Sequence, residues 1–196
     1  AIGSLETTLR RTGQLSNTAF VFSSDNGYHL GQHGLAEGKM TAFDTDVRVP
    51  LVVSGPGVPA GVVNRDVVEN IDLAPTFEQL GGATVPPTVD GRSIVALLHG
   101  HSERWRTIAA IEHHGPATTP SDPDAQAYNS GNPPSYNAIR TANWIYVRYV
   151  TGTREYYDLR RDPQENHNVA KRLSARRRAD LDRLLGTLTA CKGSTA

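Results

Sequence analysis

The sequence predicts an α/β fold that gives way near residue 100 to a small antiparallel α+β unit. Three observations carry this reading. Two short, continuous apolar runs, TAFVFS at 18–23 and PLVVS at 50–54, are too short for helices. They suit strands buried on both faces, as in a mainly parallel sheet covered by helices. A capped helical segment follows the second run, and strand, loop, strand, helix in that order is the α/β pattern. Beyond a polar stretch at 115–134, aromatic-rich strands lead into a leucine-striped final helix. The predicted organisation is therefore 1–100 as part of an α/β core and 101–196 as the smaller unit.

Residues 4–12 predict a short helix. Ser4 is placed to cap it, Leu5 and Leu9 share a face, and Gly13 can close it in a left-handed conformation. After the strand at 50–54, Gly55-Pro56-Gly57 ends the run. Asp72 then predicts a helix cap, with Pro75 in the first turn, Gly81 just past the end, and Leu73, Phe77 and Leu80 as the inner stripe. In the second half, 136–140, 144–150 and 155–159 predict strands, with Thr151-Gly152-Thr153 as a hairpin turn. From Ser174 a helix runs to the end. Leu181, Leu184, Leu185 and Leu188 follow the i, i+3, i+4, i+7 spacing, and Arg176, Arg177 and Arg178 stand in its first turns.

Composition narrows the function classes. The 196 residues carry 20 basic and 20 acidic side chains, a formal net charge of zero. That balance gives no reason to expect nucleic acid or a membrane surface as partner. No run approaches the apolar length of a membrane span. One cysteine, Cys191, excludes an internal disulfide and a thiolate metal cage. The basic residues are 17 Arg and 3 Lys, an excess read here as composition rather than function. No secretory leader is visible at the amino terminus, and the compartment is left open.

The chemistry concentrates after the first predicted strand, in SSDNGYHLGQHG at 23–34. Ligand sites in open α/β sheets lie at the carboxyl ends of strands, where Asp25 and Asn26 stand. Both supply hard oxygens of the kind that bind Ca²⁺ or Mg²⁺. A plain Asp-Asn-Gly turn is the competing reading of the tripeptide. Lys39 follows a short loop later and would bring a point charge to an anion held beside a metal. Its competing reading is an exposed loop lysine. His29 and His33 are read either as site residues or as surface histidines of the loop.

The stretch TAFVFSSDNGYHLGQHGLAEGKMTAFDTDVRVPLVVSGPG resembles the sulfatase family of the alkaline-phosphatase-like superfamily. The branch it resembles holds N-acetylglucosamine-6-sulfatases and bacterial arylsulfatases. NIDLAPTFEQLGG with DGRSIVALLHG, YYDLRRDPQENHNVA, and the ending LTACKG are similar to later segments of that branch. The resemblance covers most of 5–170. It implies the C-terminal part of an alkaline-phosphatase-like sandwich and a sulfuric ester hydrolase. Asp25 and Asn26 match metal ligands for Ca²⁺ or Mg²⁺, and Lys39 matches a lysine that contacts sulfate. His33 and His114 are implied as substrate-side residues. For His113 and His114, a strand-end pair facing solvent is the alternative.

The resemblance also implies a formylglycine, made from Cys or Ser in a Cys/Ser-x-Pro-x-Arg motif, whose hydrate attacks sulfur. This sequence contains no such motif. Two explanations stay open: the chain is one piece of a complete enzyme whose N-terminal half supplies the nucleophile and the other metal ligands, or it is a truncated product with no sulfatase activity of its own. In either case this chain alone is incomplete. The expected substrate is a sugar or aryl sulfate ester, and the family pattern is consistent with export. Two alternatives stand beside it. One is a phosphodiesterase or phosphonate monoester hydrolase of the same superfamily. The other is a non-catalytic interaction module.

Overall fold

The computed structural model describes residues 1–101, 104–116 and 125–191. The first helix, α1 (Ile2–Arg11), starts two residues ahead of the expected boundary, so Ala1 rather than Ser4 takes the cap position. Gly13 closes it at φ +71° as its spacing implied. The two apolar runs form short strands, β1 (Phe20–Phe22) and β2 (Val52–Ser54). They pair with each other, and they do so antiparallel. Neither is covered on both faces within this chain: Phe22 is 51% and Val52 60% exposed. An apolar run encodes a wish for burial but not strand direction, and two strands alone leave their outer face uncovered.

Between β1 and β2 the chain makes a long excursion that ends in one helical turn, α2 (Asp44–Val47). Beyond β2 comes α3 (Leu73–Leu80). Asp72 sits at its cap position, yet its carboxylate caps the preceding turn, accepting the Glu69 N–H at 2.9 Å. It also accepts the Arg92 N–H at 2.8 Å and pairs with Arg106 at 2.6 Å. The expected inner stripe is rotated outward. Phe77 and Leu80 are exposed, while Pro75 and Thr76 are buried. Thr76 Oγ1 explains the rotation: it donates to the Asp72 carbonyl at 2.6 Å and accepts the Ile94 N–H at 3.0 Å. Those bonds hold the polar side of α3 against the segment leading into α4 (Val95–Leu98).

The second half is a four-stranded antiparallel sheet in chain order: β3 (Ile108–His113), β4 (Tyr136–Thr141), β5 (Trp144–Tyr149) and β6 (Arg154–Asp158). The edge strand β3 is the strand implied by the strand-end reading of His113 and His114; its ladder partner is β4, in register from Ile108 opposite Thr141 to His113 opposite Tyr136. The hairpin between β5 and β6 turns at Gly152, φ +87°, as expected. Period-two alternation splits the sheet's side chains. Ala138, Ile145, Val147 and Tyr157 pack with Ala42 and Phe43 of the first half. Ile139 and Tyr146 pack on the other face against Leu181 and Leu185 of α5 (Ala175–Ala190). Ser174 caps α5 through the Arg177 N–H at 3.1 Å.

Polar ties join the halves. Arg140 of β4 grips Asp44 of α2 bidentately, at 3.0 and 2.7 Å. Glu165, buried in the loop after β6, accepts the Asp44 N–H at 2.8 Å and so caps α2 from a distance. The expected boundary at residue 100 is also bridged where Arg106 meets Glu69 and Asp72.

Candidate functional site

The site is built from the excursion between β1 and β2. Where β1 ends, the Asp-Asn-Gly turn is held from below. Gly27 donates its N–H to the Asp46 carbonyl at 2.7 Å. A Cβ at Gly27 would lie 2.1 Å from the Thr45 carbonyl oxygen, so only glycine admits this approach. From the side, the Asn70 amide donates to the carbonyls of Asp25 and Ser24 at 3.0 and 3.3 Å. The turn is thus rigid for reasons outside itself, which is what a ligand-bearing turn requires.

On that base the Asp25 side chain is exposed. Its Oδ1 accepts the Asn26 N–H at 3.0 Å and lies 3.4 Å from the Ser24 hydroxyl. The Asn26 amide is oriented by donating to the Gly27 carbonyl at 2.7 Å, which turns its oxygen toward Lys39; Oδ1 and Nζ are 3.4 Å apart. Asn26 and Lys39, thirteen residues apart, are therefore neighbours. Two side chains with three oxygens of the right chemical type stand in one turn, and a hard cation takes six to eight. No group of three or more His, Cys, Asp or Glu side chains suited to a metal occurs among the described residues. The donors fit Ca²⁺ or Mg²⁺ in kind and are too few in number.

Lys39 is set by a second layer that the sequence did not reveal. His29 is fully buried, not a surface histidine. Its Nδ1 lies 2.8 and 3.0 Å from the two Asp46 oxygens, and its Nε2 lies 3.0 Å from the Ser130 carbonyl oxygen. Thr41 adds its N–H at 2.9 Å and its hydroxyl at 2.6 Å to the same Asp46 oxygen. Asp46 is thereby fully occupied, and Asp44 is taken by Arg140, so neither is a spare metal ligand. The backbone of His29 pairs with that of Gly38, at 2.8 and 3.0 Å, which folds the loop into a closed ring beneath Lys39.

Residues 125–131 lie against this ring. The Lys39 N–H donates to Gln126 Oε1 at 2.9 Å, and the Ala36 N–H donates to the Asn129 carbonyl at 2.9 Å. At Gly38 a Cβ would come within 2.6 Å of both Gln126 Oε1 and the Ser130 carbonyl oxygen. The two segments enclose an open cavity of about 650 Å³, with Tyr28, Glu37, Lys39 and Gln126 on its wall. No sequence pattern pairs 29–39 with 126–131; only the composition of 115–134 pointed there, and 117–124 lie outside the described residues.

The two candidate substrate histidines are placed differently. His33 stacks on Phe43, ring centroids 3.6 Å apart and 10° from parallel. Burial there pushes its pKa down. His114 is exposed just past β3, while its neighbour His113 turns inward against Tyr136 and lies 3.3 Å from the Pro133 carbonyl oxygen. The pair therefore splits, one inward and one outward, as strand alternation dictates.

Comparison with known proteins gives this geometry a context. A model of the family described as N-sulphoglucosamine sulphohydrolase, C-terminal, matches residues 31–188. The chain is 31% identical to human N-acetylglucosamine-6-sulfatase over 212 aligned residues, covering 95% of this chain and 38% of that protein. Among solved structures it resembles BT4656 in complex with D-glucosamine-2-N,6-O-disulfate, with TM-score 0.82 and 27% identity, covering 96% of this chain and 37% of that one. It also resembles a phosphonate monoester hydrolase from Silicibacter pomeroyi, with TM-score 0.76 and 30% identity, covering 96% and 37%. The chain spans less than two fifths of the length of each.

Proposed function

This chain belongs to the sulfatase family, matching its C-terminal domain, and on that premise we propose that it forms the sulfate-holding side of a sulfuric ester hydrolase. The observation that carries the proposal is the approach of Lys39 Nζ to Asn26 Oδ1 at the carboxyl end of β1. Lys39 would hold an anionic ester oxygen by charge and hydrogen bond. Asp25 and Asn26 would be the ligands of a Ca²⁺ or Mg²⁺ ion, which when bound supplies charge to stabilise the sulfate oxygens. The cavity beside Lys39 would take the alcohol that leaves. The substrate class proposed is a sulfated amino sugar, supported by the likeness to the structure holding D-glucosamine-2-N,6-O-disulfate. On this reading His33 and His114 belong to the rim, and 1–100 carries the site while 101–196 walls it.

The formylglycine nucleophile has no counterpart in this sequence. Cys191 closes α5, with its thiol 3.1 Å from the Thr187 carbonyl oxygen, and no Cys or Ser stands in the required motif. We therefore assign the formylglycine and the remaining metal oxygens to an N-terminal half of the same fold. The exposed faces of Phe22, Val52, Phe77 and Leu80 offer the apolar surface such a half would cover.

The test joins this chain to a half bearing the nucleophile. Lys39→Ala should lower turnover of an aryl sulfate by about a hundredfold or more, the scale of losing one oriented charge donor. Asp25→Ala should remove the heat of Ca²⁺ binding in calorimetry. Unchanged Ca²⁺ binding in that variant overturns the metal assignment. A second reading, phosphonate ester hydrolysis, is favoured by the likeness to the Silicibacter enzyme. Faster turnover of phenyl phosphonate esters than of aryl sulfates would select it.

A further inference from the structure

The segment KRLSARRR, residues 171–178, holds Lys171, Arg172, Arg176, Arg177 and Arg178, and no acidic residue. One quarter of the chain's 20 positive charges thus sits in eight consecutive residues of a molecule with zero net charge. The structure keeps them together. Lys171 and Arg172 end a single helical turn, Leu173 anchors the chain in the core beside Leu181 and Leu185, and the three arginines occupy the first turns of α5.

This placement runs against local helix energetics. The amino-terminal end of a helix carries partial positive charge and favours acids. Here the first turn of α5 contains none. Nor do neighbouring carboxylates compensate: ion pairs elsewhere use Arg148, Arg154, Arg160, Arg161 and Arg183, whereas Lys171, Arg172, Arg176 and Arg178 are exposed with no ion pair among the described residues. Beside them Arg177 lies over the Trp144 ring at 5.3 Å, and Trp144 stacks on Tyr156 at 5.8 Å and 19°. An unopposed cationic strip bordered by an arginine–aromatic stack complements a chain of repeated anionic groups on a ring backbone.

We propose that this strip binds a sulfated polysaccharide, holding polymeric substrate on the enzyme at a surface separate from Lys39. The choice of polysaccharide over other polyanions rests on the sulfated-sugar reading above. Arginine guanidinium groups suit sulfate oxygens because their planar donors engage two oxygens at once. The strip shares no residue with the Asp25, Asn26 and Lys39 site.

The experiment measures binding of heparin and of single-stranded DNA of matched charge to the chain at 0.05–0.3 M salt, on the order of the range where exposed charges pass from weakly to strongly screened. The variants are R172S/R176S/R178S, a length-preserving R172Q/R176Q/R178Q, and R10Q/R11Q, which removes two exposed arginines of α1 outside the strip. The expected result is heparin binding preferred over DNA, at least tenfold weaker in both triple variants and little changed in R10Q/R11Q. Because the removed charges oppose the helix dipole, both triple variants should melt at or above the parent temperature. Heparin affinity unaltered by the triple variants overturns the proposal, as does DNA binding as tightly as heparin. Turnover of an aryl sulfate by the joined enzyme that is unaltered in Lys39→Ala, with heparin binding intact, would instead count against the Lys39 reading alone.

Discussion

Replacing Glu165 by Gln should make the protein more stable relative to the parent as pH rises. Glu165 is 3% exposed, in the loop after β6, at a left-handed φ of +53°. Its Oε2 accepts the Asp44 N–H, while its buried Oε1 has no hydrogen-bond partner. Burial pushes its pKa up from 4.5 to about 7; the Asp44 N–H and Arg140 work against this, and the carboxylates of Asp44 and Asp162 add to it. The folded protein therefore holds this proton more tightly than the unfolded chain. The stabilisation is complete below pH 4.5 and is lost as pH rises through 7. At about 1.4 kcal/mol per tenfold change in proton affinity, the loss across that window is about 3 kcal/mol. Gln keeps an acceptor for Asp44 and cannot ionise. Any fixed cost of its amide at the Oε1 position cancels when two pH values are compared. Urea unfolding of parent and Glu165→Gln at pH 4.5, 6 and 8.5 measures the difference directly. The variant should gain about 3 kcal/mol on the parent between the first and last. Parallel pH profiles would refute the claim that a buried, half-satisfied carboxyl caps α2.

Two further substitutions probe the support of the site. Gly38→Ala puts a methyl 2.6 Å from the Ser130 carbonyl oxygen and Gln126 Oε1, so it should cost about 1–3 kcal/mol and loosen 126–131; hydrogen exchange should show faster exchange there and little change in β4 and β5. Asp46→Asn leaves His29 and Thr41 without their shared carboxylate and should cost about 1–3 kcal/mol in thermal or urea unfolding, whereas a cost below about 0.5 kcal/mol would show that the buried network does not hold the loop.

Much of this protein was legible without coordinates because the signals are local. The leucines of α5, its start near Ser174, the Gly152 hairpin and the aromatic strands follow from spacing and turn chemistry over a few residues. Asp25, Asn26 and Lys39 were legible as candidates for a related reason: hard oxygens and a lysine within fifteen residues suit a cation and an anion, and their roles stand as the proposal made above. What the tertiary structure decided are choices among partners. β1 and β2 run antiparallel, and α3 turns Thr76 inward to bond Asp72 and Ile94 while Phe77 and Leu80 lie on its exposed face. His29 is a buried tie rather than a surface histidine, because Asp46 and Ser130, 17 and 101 residues away, happen to meet its two nitrogens. Periodicity and capping act over one or two turns. A buried polar group is satisfied by whatever the fold brings near it, and that is written only in three dimensions.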